Sequence, residues 1–235
     1  MATLWVAMAF TRGTNGNGRL TISFSHFVGG QLLRLDTGTY KNEIGQSFTV
    51  TKFKYYIGKI RLKKTDGREV LLNDYYLVNE EEETSKTFTV DNIPDGQYTG
   101  LSFLVGVDSA DNCSGAQAGA LDPANAMFWA WNTGYIFLKL EGKAPVSKSP
   151  GHIFEYHIGG YKSPANCIRR VLLNFGKTLS VANDTHELTI KADAAELLKM
   201  PTVIDFSKLS SVTDFHNATI VADNYTDMFS VLSFK

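Results

Sequence analysis

Arg19-Leu-Thr-Ile-Ser-Phe-Ser-His26 alternates polar and apolar side chains without a break. A strand turns successive side chains to opposite faces, so Leu20, Ile22, Phe24 and His26 share one face. The same period of two returns at Leu101, Phe103, Val105 and Val107, and β-rich runs are expected at 48–62, 68–78, 87–90, 98–107, 128–140, 153–158, 167–176 and 187–192. The run at 48–62 is expected to break or bend at Gly58. Turn chemistry separates these runs, as in Thr65-Asp-Gly67 and Asn92-Ile-Pro-Asp-Gly96. Helical signals are few. Asp193-Ala-Ala-Glu-Leu-Leu-Lys199 reads as a short helix capped by Asp193 and stopped before Pro201, and 222–228 as a last helical or turn segment. Many short strands without a strand–helix–strand rhythm predict an all-β fold, an antiparallel β-sandwich of immunoglobulin-like type with long loops and one or two short helical segments.

A chain of 235 residues suits one sandwich domain and can bury a core without a metal or disulfide. Residues 1–18 are expected to be an N-terminal linker or the remnant of an export segment, and 19–235 a single domain. Leu4 to Phe10 is apolar but too short to span a membrane, and it has no charge before it, so it makes a poor signal peptide. The net charge of −1 gives no basic field for nucleic acid. The stretch from Asp108 to Asn125, rich in Gly, Ala, Asp, Asn and Ser, reads as a long loop of the kind that often carries function.

Five histidines are the candidate ligands. His26 ends an apolar strand face, and His157 shares a face with Ile153 and Glu155. A lone histidine in such a place is more often a satisfied core or edge residue, and only convergence of two or three would make a metal site. Glu155 is the candidate carboxylate to orient His157. No HExxH, EF-hand or paired CxxC occurs, and Asp108-Ser-Ala-Asp-Asn112 lacks the glycine and distal glutamate of a calcium loop. Lys139 and Glu141 read as a surface salt bridge. With no GxSxG elbow or nucleophile–base pair, catalysis is not expected. Cys113 and Cys167 either pair in an oxidising compartment or stay as buried, inert thiols; pairing would be worth roughly 4 kcal/mol. In Met127-Phe-Trp-Ala-Trp-Asn132, Trp129 and Trp131 are either sandwich core or an aromatic surface beside a metal or a sugar.

Several segments, in order, resemble the methanobactin-associated copper-binding protein family (MbnP-like), in its Bacteroidetes-type relatives. They are Phe24-Ser-His26-Phe-Val-Gly-Gly30, Tyr40-Lys-Asn-Glu-Ile-Gly45, Phe53-Lys-Tyr-Tyr-Ile57, Gly106-Val-Asp108, Gly119-Ala-Leu-Asp-Pro123, the Trp129/Trp131 stretch, Lys139-Leu-Glu-Gly142, Tyr156-His-Ile-Gly-Gly160 and Asp223-Asn-Tyr225. The resemblance implies a periplasmic or extracellular, non-enzymatic protein that binds one copper ion, as Cu(I) or Cu(II), for acquisition, storage or transfer. Anchoring to the outer membrane through a segment outside this chain stays open. It implies His26 and His157 as copper ligands with His216 as a third, and Trp129 or Trp131 as the residue oxidised to kynurenine by a dihaem cytochrome-peroxidase-like partner. The alternative is a metal-free sandwich that binds carbohydrate or protein, with exposed Trp129 and Trp131.

Overall fold

The computed structural model describes residues 18–115, 117–129, 134–213 and 217–235. Residues 1–17, together with Trp131 and His216, lie outside the described residues. Among the described residues, fourteen strands follow in chain order: β1 Gly18–Val28, β2 Gln31–Leu32, β3 Tyr40–Lys41, β4 Ser47–Lys64, β5 Glu69–Asn79, β6 Thr87–Ile93 and β7 Gly96–Val105, then β8 Phe128–Trp129, β9 Gly134–Lys143, β10 Ile153–Gly159, β11 Arg169–Val181, β12 Thr185–Asp193, β13 Ser211–Val212 and β14 Phe229–Phe234. Two short helices, α1 Ser109–Asn112 and α2 Ala218–Asn224, complete the regular structure along with several 3-10 turns.

The strands form two facing sheets. The smaller runs β14-β12-β1-β2, with β6 also on β1; the larger runs β11-β7-β4-β9-β10-β13, with β3 and β5 on β4 and β8 on β9. The expected all-β sandwich is therefore what forms, although it is not wholly antiparallel: β1 pairs parallel with β12, and β10 with β13. β4 is the spine of the larger sheet. Lys54 sits between Asn79 of β5 and Lys139 of β9, and Ile57 between Tyr76 of β5 and Val105 of β7. So β5 lies on one side of β4, while β9 and then β7 lie on the other. The expected break at Gly58 is a register shift within one continuous strand, and Lys59 there takes φ 49°. Glycine is needed at 58 because a Cβ would fall 2.3 Å from the ring of Tyr75.

The alternation in β1 does what it predicts. Leu20, Ile22, Phe24, His26 and Val28 are all buried. Phe24 packs edge-on against Tyr55, Phe103 and Phe229, tying the sheets together. Burying each such ring contributes about 1.5–3 kcal/mol. The run expected at 128–140 is instead two strands, β8 and β9, paired antiparallel, with Phe128 opposite Tyr135 and Trp129 opposite Gly134. The expected helix after Asp193 is a 3-10 turn, Ala194–Leu198. Asp193 does cap it, and also accepts hydrogen bonds from the backbone N–H of Gly29 and Gly30. The long loop carries α1 and two 3-10 turns.

Candidate functional site

β1 carries His26 into the gap between the sheets, where the residue is 3% exposed. The Tyr55 hydroxyl from β4 lies 2.9 Å from its Nε2, and Glu80 Oε2 lies 2.6 Å from its Nδ1. Burial holds the imidazole below its ordinary pKa, with Glu80 pulling the other way. Glu80, despite burial that favours the neutral acid, is held ionised by His26 and Lys86, whose Nζ is 3.2 Å away. A neutral ring beside a carboxylate fixes the tautomer. Nδ1–H donates to Glu80, and Nε2 accepts from Tyr55. Both nitrogens are spoken for, and His26 is a polar clamp between the sheets.

His157 is elsewhere. Tyr55 points towards His26, so alternation turns Lys54 to the opposite face of β4. Lys54 pairs with Lys139, and Lys139 with His157. Cross-strand partners share a face, so His157 stands on the outside of the larger sheet while His26 is inside. The two histidines do not form a joint site.

On that outer face, His157 Nε2 lies 2.8 Å from Glu141 Oε1, and Lys52 Nζ reaches the other carboxylate oxygen at 3.3 Å. The His157 hydrogen bond, with help from Lys52, lowers the Glu141 pKa to about 2. Glu141 thus takes the orienting role expected of Glu155. Glu155 sits across from Glu141 in the ladder, and the hydrogen bond to the imidazole comes from Glu141. The expected Lys139–Glu141 salt bridge does not form, because the carboxylate is shared between His157 and Lys52. Lys139 has no hydrogen-bond or ion-pair partner among the described residues, and burial with Lys54 and Lys52 nearby lowers its pKa.

His157 Nδ1 has no partner among the described residues. One nitrogen gripped by a carboxylate and the other open is the arrangement by which proteins orient a metal-binding imidazole. Trp129 packs at the end of β10, where the register shifts between Ile158 and Gly159. It is 5% exposed, and a Cβ on Gly159 would lie 2.6 Å from the indole ring. That burial removes Trp129 as an exposed platform for sugar. Among the described residues, no group of three or more His, Cys, Asp or Glu side chains is placed to hold a metal ion. The donors present fit copper chemically through one imidazole and do not complete a site.

The remaining candidates are committed to the fold. Cys113 is exposed and Cys167 buried, and both are free thiols. Burial pushes the Cys167 thiol up to about 12. Asp108 caps α1 through the Asp111 N–H, and Asp111 accepts from Tyr75 and pairs with Lys59 at 2.9 Å. These carboxylates already have partners, so the loop offers no calcium cage. Among the described residues, no helix is long and apolar enough to cross a membrane.

The fold and this outer face define a two-sheet β-sandwich with one oriented, open imidazole. The MbnP family model matches residues 17–217, and the chain belongs to that family. Among solved structures, it is similar to MbnP from Methylosinus trichosporium at 15% identity, covering 80% of this chain and 79% of that one with a TM-score of 0.51. That likeness shows a shared fold. No curated protein matches the chain.

Proposed function

We propose that this chain is a non-catalytic copper-binding protein of the cell envelope, periplasmic or extracellular, that acquires, stores or hands over copper. Membership of the MbnP family associates it with methanobactin and copper. The observation that supports the reading further is His157, with Nε2 held by Glu141 and Nδ1 without a partner among the described residues. In this reading His157 is the anchoring ligand, and His216 and a tryptophan of the 129–131 stretch complete the site. Kynurenine formation by a dihaem cytochrome-peroxidase-like partner remains part of the proposal for that tryptophan. Copper bound there is the cargo. The chain's own residues orient the imidazole and keep Glu141 ionised.

The test is metal content after copper loading, read by mass spectrometry. Near one copper per chain is expected in the parent protein and in His26→Gln, with loss in His157→Ala. Undiminished copper in His157→Ala would remove the outer face from consideration.

A further inference from the structure

β11 closes one end of the larger sheet and pairs only with β7. From Arg169 to Asn174 that pairing is regular, six residues without a break. In an antiparallel ladder alternate residues turn their N–H and C=O away from the neighbour. On this stretch of β11 those groups have no backbone partner among the described residues. The opposite end of the same sheet is finished by the two-residue β13.

Sheet edges are commonly blunted by proline, lysine or a bulge. Residues 169–174 contain no proline, and the register shift, with Gly176 at φ 71° and Lys177 beside it, comes only after Asn174. Leu172, in the middle of the stretch, is 73% exposed, the most of any large apolar side chain among the described residues. Its neighbours Val171 and Leu173 are buried on the inner side, so the strand is already fixed in extended form. A fixed edge loses little freedom on accepting a further strand.

That further strand must set an apolar side chain opposite Leu172 and no cation opposite Arg170. β11 itself meets both needs. A two-fold axis centred on Leu172 sets Leu172 opposite its own copy, Arg170 opposite Asn174 and Val171 opposite Leu173. The Arg170 guanidinium, which already donates to Ser102 Oγ at 3.1 Å, meets an amide oxygen, and no like charges face each other. Centring the axis on Val171 or Leu173 puts Leu172 against Arg170 or Asn174 and loses the apolar match. We propose that β11 is a self-pairing edge, through which two copies of this chain join antiparallel along residues 169–174 into one continuous sheet. β7, β4 and β9 separate β11 from β10, so His157 stays open and the pairing is independent of the copper reading.

Six residues from each copy make a small interface, so association is weak and depends on concentration. The test is sedimentation equilibrium of the whole chain from micromolar to near-millimolar concentration, alongside amide hydrogen exchange. A reductant keeps the exposed Cys113 from linking copies, and a chelator keeps metal from doing so. The average mass is expected to rise from one chain towards two, with exchange at 169–174 slowing in step. Leu172→Lys sets two ammonium groups face to face and is expected to stay a single chain throughout. Leu71→Lys, on β5 with β4 and β7 between, is expected to behave as the parent. Leu172 and Leu71, 73% and 50% exposed, are outside the core, so both variants keep the fold. A single chain across the whole range, a dimer that survives Leu172→Lys, or slowing that spares 169–174 overturns the proposal. So does dimerisation seen only after removal of residues 1–17, which gives the edge to this chain's own N-terminal segment.

Discussion

The hydroxyl of Tyr55 and the Nε2 of His26, on strands of opposite sheets, lie 2.9 Å apart in a hydrogen bond that water does not reach. Removing the hydroxyl leaves a buried ring nitrogen without its donor. Tyr55→Phe is expected to cost about 1–3 kcal/mol in denaturant unfolding. Copper binding should be unchanged, because this bond is on the inner side of the sheet.

The same clamp sets an acid limit. His26 has a folded pKa below its unfolded value of 6.5. Between those values the unfolded chain binds the proton and the folded one does not, so stability falls as pH drops below 6.5. The slope is at most about 1.4 kcal/mol per pH unit for one proton. Glu80, also lowered from its ordinary 4.5, adds a second loss as pH falls below that value. Urea unfolding at a series of pH values should show the first decline in the parent chain and a flatter profile in His26→Gln.

Gly159 and Trp129 are mutually constrained. A methyl group at 159 would lie 2.6 Å from the indole and 2.5 Å from the carbonyl oxygen of Tyr135. Gly159→Ala is expected to lower stability by about 1–3 kcal/mol and to shift tryptophan emission, both read in one fluorescence melt.

Glu141→Gln keeps the size of the side chain and removes the charge that grips His157. Copper affinity is expected to fall about 10- to 100-fold, measured by competition with a chromophoric chelator. Glu141 titrates near 2, so it stays ionised throughout the working pH range. Loss of copper on mild acidification therefore belongs to protons competing at imidazole nitrogen.

The sandwich was legible because burial on one face imposes a period of two, and β1 carries that period over its whole length. The 128–140 run divides into two paired strands, and Asn132 and Gly134 between its apolar halves were the sequence signal for a break there. Parallel pairing of β1 with β12 has no local signature at all. The site was half legible. An apolar-face histidine reads alike as ligand or clamp, and what decides for His26 is Tyr55 and Glu80, 29 and 54 residues away in sequence. Glu141 was missed as the partner of His157 for the same reason, since only the β9–β10 register brings them together. The alternation of Lys139, Glu141 and Lys143 against Ile153, Glu155 and His157 held the clue, once a hairpin was assumed.

The pairing of residues 19–27 with 185–193 has a kinetic consequence. β1 can meet β2 and β6 early, but its parallel neighbour β12 is more than 150 residues further along the chain. Until β12 has been made, Leu20, Ile22 and Phe24 have no lasting shelter on that side. Such distant closure slows folding and prolongs exposure of a sticky edge. A chaperone that covers the β12 edge of β1 until β12 has been made would shorten that exposure.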